Sequence, residues 1–309
     1  MVTALPKTFI SDVSTSCCSV FQYDLRAHCH VNLPLSIVRF NYSPPASGLE
    51  LAQRIRRNRI PGTICKLSML PQNPIVSDIC VTGFSGALSL AILRLCEETA
   101  RRGIFDQTMN RKVLHVAIGL AFMACWPLFS SGFQGAFLAS LIPGVQIIRM
   151  LLIGSGLWKN EDVIKSMTRY GDHRELLTGP LYYCIAITFA CIKYWRSSPI
   201  AIAVICNLCA GDGFADIVGR RFGRKKLFYN REKSLAGSAA MVVCGFAASI
   251  AYMVYFASFG YLQASWKLAM EFLMLSLACA VVESLPVSTK FDDNLTVPLT
   301  AIALGNLLF

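Results

Sequence analysis

The sequence predicts an all-α, polytopic integral membrane protein with about seven transmembrane helices, in a range of six to eight. Three observations carry that expectation. Only 15% of the 309 residues are charged while 54% are hydrophobic, and the mean hydropathy is +0.51; so few charges cannot coat a soluble surface of this size. Two stretches, 113–148 and 234–266, run for 36 and 33 residues without Lys, Arg, Asp or Glu. Each exceeds the roughly 20 residues that a helix needs to cross the hydrocarbon core. Alternation of polar and apolar residues is weak, which argues against a barrel, and backbone groups in hydrocarbon must then be satisfied within helices.

Residues 1–74 differ from the rest. They hold eight Lys or Arg against three acids, with Ser and Thr scattered through them and the basic run Arg54, Arg56, Arg57, Arg59. No apolar core of secretory type lies near Met1, whereas a Ser- and Arg-rich, acid-poor leader ahead of a membrane domain reads as an organellar transit peptide, here assigned to 1–65. A basic tail lying on an anionic membrane is the other reading. The segment has no nucleic-acid-binding motif, so no nucleic-acid partner is expected.

The membrane domain is assigned to 75–309. Besides the two charge-free stretches it contains low-charge segments around 75–96, 176–195, 197–219, 266–285 and 294–309. The first charge-free stretch must contain two spans, broken near Ser130-Ser131-Gly132 or at Pro143-Gly144. Thirteen cysteines are scattered along the chain. Cys206 and Cys209 have CxxC spacing but no second pair or His cluster beside them, so the cysteines are read as small buried hydrophobes rather than as metal ligands.

Charged residues fall into a few clusters, taken here in chain order. Asp106 to Lys112 is followed by His115; Arg111 and His115, four apart, are expected to share a helix face, and Lys112 to share a face with neither. The polar loop 159–175 balances four basic residues against four acids and contains Asp172. An apolar run from Pro199 to Ala210 then leads directly into Gly211-Asp212-Gly213-Phe214-Ala215-Asp216. Ionised acids beside an apolar span are costly unless a cation or cavity offsets them. Asp212 and Asp216, spaced i,i+4, form a natural site for a hard cation such as Mg²⁺, which keeps some waters and bridges substrate phosphates. Between 220 and 233 there follow seven basic residues against one acid, then Ser234, Gly237 and Ser238. Acids for a metal, followed by basic side chains and small-residue turns, suit a polyphosphate at a membrane surface, although nothing fits GxxxxGK[ST]. Glu283 lies in otherwise apolar sequence, and Asp292-Asp293 stands at the mouth of the last span; all three are further metal candidates.

These residues resemble a known family. Gly211 to Gly223 with Lys233-Ser234 and Gly237-Ser238, together with Arg111 to His115, Trp126 to Gly132, Gly179 to Tyr183, Glu283 to Pro286 and Asp292 to Asn294, are similar to the plant phytol kinase and farnesol kinase group of the polyprenol kinase family. The resemblance covers about 75–309 and is specific in combination; the leader resembles the group's plastid transit peptides in composition only. It implies a multi-pass chloroplast-membrane enzyme that transfers a phosphoryl group, preferentially from CTP, to an isoprenoid alcohol, farnesol or phytol, with CDP released.

Joined to the chemistry above, the expected scheme is specific. Asp212 and Asp216 hold Mg²⁺ on the triphosphate. Arg220, Lys225, Lys226, Arg231 and Lys233 neutralise its oxygens, with Ser234, Gly237 and Ser238 adding donors. Arg111 and Lys112 meet the transferring group from another helix. Asp172, Asp292 and His115 are alternatives for orienting or deprotonating the hydroxyl. The partners expected are the lipid bilayer, the alcohol and CTP, with no obligate protein partner. The competing readings are a membrane cytidylyltransferase acting on phosphatidic acid, which would release pyrophosphate, and an anion transporter with a coupling cation at a broken helix.

Overall fold

The computed structural model describes residues 71, 73–286 and 291–309; the assigned leader lies outside the described residues. The elements are all helical: α1 (Pro74–Arg101), α2 (Gln107–Ala124), α3 (Phe133–Gly154), the short α4 (Glu161–Met167), α5 (Gly179–Lys193), α6 (Pro199–Cys206) continued by a π-helical segment, Asn207–Asp212, into α7 (Gly213–Phe222), then α8 (Leu235–Ser258), α9 (Trp266–Ser284) and α10 (Asp293–Leu308). Among the described residues no strand is present, and a single antiparallel bridge joins Lys226 to Ser234. Six helical segments are long and apolar enough to cross a membrane. The shorter α10 and the 19-residue α9, with Lys267, Glu271 and Glu283, complete the bundle. The fold thus falls in the expected all-α, six-to-eight-span class.

Local sequence sets the helix starts. Asn73, Ser198, Ser234, Ser265 and Asp292 each accept a backbone N–H of the first turn with their side chain, the usual N-cap arrangement. Pro74 and Pro199 open their helices, where a missing N–H costs nothing. The break in the long charge-free stretch falls at its Ser130-Ser131-Gly132 site, after a 3-10 turn at Trp126–Leu128. Pro143 lies buried inside α3 instead. The cysteines within the spans are mostly buried, and Cys206 and Cys209 are free thiols with no solvent exposure.

Short connections make the long helices alternate in direction, which collects the loops on two faces. One face carries 102–106, 155–178, 223–234 and the described residues 285–286 and 291–292; the other carries 125–132, 194–198 and 259–265. The basic residues concentrate on the first, as they do on the retained side of membrane proteins. In the middle runs the continuous α6–π–α7 rod. Of its most apolar 18-residue window 83% is buried, against 28 to 50% for the other five candidate spans. Its neighbours come close. A Cβ on Gly237 of α8 would lie 2.9 Å from the Ala215 carbonyl, and one on Gly213 would run into Val116 of α2.

The second face is clasped by uncharged loops around one cation. Buried Arg196 donates from Nη1 to the carbonyls of Trp126 at 3.0 Å and Phe129 at 2.5 Å. Its guanidinium also stands 4.1 Å from the Tyr261 ring centre. The carbonyls at the C-terminal end of a helix attract positive charge, so this arginine ties three connections together. Nearby, buried Asp78 accepts the Ser130 N–H at 2.6 Å, and Tyr255 Oη donates to the Ala124 carbonyl at 2.7 Å. Arg196→Met should therefore cost about 1.5–3 kcal/mol, the range for a lost hydrogen bond to a charged group. A lower midpoint for thermal unfolding in detergent checks this, and an unchanged midpoint would contradict the clasp.

Candidate functional site

The first face holds a charged cavity of about 350 Å³. The central rod contributes Asp212, Asp216, Gly219 and Arg220; α2 contributes Lys112; and the loop and first turn leading into α8 contribute Lys226, Lys233, Ser234, Gly237 and Ser238. Glu283 and Asp292-Asp293 close the far side. Five basic side chains (Lys112, Arg169, Arg220, Lys226, Lys233) and six acids (Asp212, Asp216, Glu232, Glu283, Asp292, Asp293) line it.

Its centre is a buried ion pair. Lys112 Nζ donates to Asp212 Oδ2 at 2.7 Å, with both side chains only 2% exposed. His115 Nε2 stands 3.5 Å from the same carboxylate oxygen and donates to the Leu208 carbonyl at 2.8 Å; because a carbonyl only accepts, Nε2 carries the proton. Lys112 and His115 therefore do share a face, contrary to the sequence expectation, since residues three apart are helix neighbours as much as residues four apart. Asp212 is the last residue of the π segment, a geometry that often marks functional sites. Asp216, four residues on, accepts from Arg220 Nε at 2.8 Å. Gly211 and Gly213 face Met241 and Val116 and serve helix packing.

Lys233 bridges the other acids, donating to Glu283 and standing 3.9 Å from Asp293. Burial works against its charge, but Glu283, Asp293 and Asp212 outweigh that and hold its ammonium above the ordinary lysine range. Asp292 goes the other way: burial, then the adjacent Asp293, push its carboxyl up. The N-terminus of the 24-residue α8 opens into this cavity. Ser234 Oγ caps it by accepting the Gly237 N–H at 3.1 Å, while the buried Ser238 Oγ has no partner. Helix N-termini with free donors accept anions readily.

Four expected residues lie elsewhere. Asp172 is exposed, does not line the cavity, and caps the 3-10 turn His173–Leu177 by accepting the Arg174 N–H. Lys225 and Arg231 are exposed and do not line the cavity; Lys225 contributes its carbonyl to the Leu235 N–H. Arg111, expected beside Lys112, turns instead to a second, mostly apolar cavity that His115 also lines. Conversely, Arg169 and Glu232 line the charged cavity without having been singled out; in a charge-balanced loop and a basic run neither carries a distinguishing signal.

Fold and site together define a class: a helical membrane protein with a charged cavity at one face and an apolar cavity beside it. The chain is 53% identical over 303 residues to "Farnesol kinase, chloroplastic" of Arabidopsis thaliana, covering 96% of this chain and 97% of that protein. It is 58% identical over 241 residues to "Probable phytol kinase 3, chloroplastic" of Glycine max, covering 78% and 76%. It is 55% identical over 252 residues to "Probable phytol kinase 2, chloroplastic" of Oryza sativa subsp. japonica, covering 82% and 83%. No family model matches the chain, and no solved structure does. The chain belongs to the farnesol kinase and phytol kinase family and is a kinase with an alcohol acceptor.

The central pair makes a stability prediction. Lys112→Met leaves the Asp212 carboxylate buried without its cation, which should cost about 3–5 kcal/mol, whereas the double variant Lys112→Met/Asp212→Asn should recover much of that loss. Thermal unfolding of the three proteins in detergent reads the difference; equal losses in the single and double variants would contradict it.

Proposed function

We propose that the protein transfers the terminal phosphoryl group of CTP to an isoprenoid alcohol, farnesol or phytol, in the chloroplast membrane, giving the prenyl monophosphate and CDP. The observation that carries this is the charged cavity at the N-terminus of α8, where cations, free donors and carboxylates meet. With six acids against five basic residues, the lining would repel a bare polyphosphate and suits one accompanied by a divalent cation. The preference for CTP follows from the family resemblance, and the plastid location from the relatives' names and the acid-poor leader.

The alcohol oxygen attacks the γ-phosphorus and the bond to the β,γ-bridging oxygen breaks, so CDP leaves and the hydroxyl proton passes to an acceptor. Lys226, Arg220 and Lys233 offset charge on the phosphate oxygens, and the Ser238 hydroxyl donates to them. Asp292 in the charged cavity and His115 in the apolar one, through its unprotonated Nδ1, are the two alternatives for that acceptor.

The donor set fits Mg²⁺. All its acids offer hard oxygen ligands, and among the described residues no three His, Cys, Asp or Glu converge as a closed metal site. Mg²⁺ characteristically takes one or two carboxylates and completes its shell with water and substrate phosphates. Asp212 and Asp216 would hold it, with Glu283, Asp292 and Asp293 on the facing wall. When bound, the ion supplies charge neutralisation between the terminal phosphates.

Purified protein in detergent, given CTP, ATP, GTP or UTP against farnesol, geranylgeraniol and phytol, tests the reading. CDP and prenyl monophosphate should appear in equal amounts from CTP and vanish with EDTA. Asp212→Asn, still folded by size exclusion, should lose at least about a hundredfold in kcat, as when a charge-stabilising group is removed. Pyrophosphate release with phosphatidic acid, and transfer to no alcohol, would overturn the kinase reading; a preference for ATP would overturn the donor.

A further inference from the structure

The second cavity has so far supplied only His115 to the scheme. It lies at the same face, and its volume is about 70 Å³. Arg111, Leu114, His115 and Ile118 approach it from α2 at positions i, i+3, i+4 and i+7, a single stripe of the helix. Met150 of α3 and Cys184 of α5 line it from across. Of its polar residues, His115 and Tyr183 are hydrogen-bonded to backbone carbonyls, whereas Arg111, Gln146 and Asn294 each have buried atoms without a hydrogen-bond partner among the described residues: Nε and Nη2 of Arg111, Oε1 of Gln146 and Oδ1 of Asn294. Arg111 is only 9% exposed and Asn294 2%. Buried polar atoms left unpaired cost about 1–3 kcal/mol each, and three residues leaving such atoms around one small cavity point to a polar group that belongs there.

We propose that this cavity holds the hydroxyl end of the acceptor alcohol, with Arg111, Gln146 and Asn294 meeting the oxygen and Leu114, Ile118 and Met150 enclosing the first isoprene unit. The proposal rests on the prenol kinase reading and names its acceptor site. Two of the three polar residues with unpaired atoms lie at one end of the cavity, while Gln146 lies further in, before Met150 on α3. Arg111 and Asn294 stand at the helix ends near the loops, while Ile118 lies seven residues deeper, about 10 Å along a helix axis. The oxygen therefore sits at the loop side and the chain runs into the bundle.

The wall towards the charged cavity is thin. Lys112 and Asp212 line the charged side, and His115, 3.5 Å from Asp212, lines the apolar side. At the other edge Asp292 lines the charged side and Asn294 the apolar side, and Asn294 Nδ2 donates to Asp292 Oδ1 at 2.7 Å. Acceptor oxygen and donor phosphate would meet across this wall.

The size has a consequence for specificity. By a measure in which one water takes about 10–15 Å³, the cavity of about 70 Å³ admits roughly five to seven such groups, enough for the hydroxyl and one branched five-carbon unit. It reads the 3-methyl-2-en-1-ol head that farnesol, geranylgeraniol and phytol share, and leaves the rest of the chain to apolar surfaces outside it.

Steady-state kinetics on the full-length protein test this. Ile118→Phe fills the cavity and should raise KM for farnesol and for phytol alike, about tenfold, while KM for CTP stays within about twofold. Unchanged KM for both alcohols, or a rise for CTP instead, would overturn the proposal while wild-type turnover upheld the kinase reading. A farnesol analogue carrying a diazirine near its hydroxyl gives a second measurement on the unaltered protein. Cross-links within 111–118, 146–150 or 179–184, or at Asn294, lost with excess farnesol, are expected; cross-links confined to other segments would overturn it. Wild-type transfer to no alcohol would instead remove the kinase reading beneath the proposal.

Discussion

The buried contact between Lys112 and Asp212 is what the rest of the site depends on. Neither charge has water to fall back on, since both side chains are 2% exposed, and a buried ion without its partner costs several kcal/mol. The pair therefore fixes the start of α2 against the end of the π segment with little freedom to slide. That one constraint sets where His115 points, because His115 is three residues from Lys112 and touches the same carboxylate. It also sets where Arg111 points, because a neighbouring helical residue is turned by about 100° and faces the second cavity instead.

The two faces of the bundle use polar groups in opposite ways. On the face away from the site, Arg196, Asp78, Tyr255 and Tyr261 satisfy backbone groups where connections turn, and the result is a closed, hydrogen-bonded seam. On the site face, carboxylates and cations stand around open space, and Ser238, Arg111, Gln146 and Asn294 keep atoms unpaired. A rigid seam at one end lets the bundle hold strained, under-satisfied groups at the other.

Much of this was legible in the sequence, for physical reasons that also explain the misses. Absence of charge is a property of whole segments, so 113–148 and 234–266 announced helices without any structure, and Ser130-Ser131-Gly132 offered an evident break. Asp212, Asp216, Glu283 and Asp292-Asp293 stood out because acids beside apolar runs demand a cation or a cavity. The direction of a side chain on a loop has no such signature, and so Lys225, Arg231 and Asp172 were grouped with residues they do not join. Gln146 was missed because a single amide in a span is unremarkable until its neighbours are known. The π segment was equally hidden: Asn207-Leu208-Cys209-Ala210 reads as ordinary helix, and only the close approach of α8 at Gly245 and Asn207 shows the rod to be distorted there.

A kinase with a lipid acceptor must bring a water-soluble, highly charged donor to an apolar alcohol while keeping water from taking the phosphoryl group. One open cleft would satisfy the first need and fail the second, because any space large enough for both ligands also admits water to the γ-phosphorus. Two cavities divided by a narrow wall satisfy both. The charged one faces the loops and stays wet; the small one is lined mainly by apolar side chains, and an alcohol that fills it displaces the water that would compete. On this account the acceptor's methyl-branched head does more than bind. By occupying the volume next to His115 and Asp212 it would exclude the competing nucleophile, so a slim primary alcohol of equal hydrophobicity would be both a poorer acceptor and a poorer guard against hydrolysis of the phosphoryl donor.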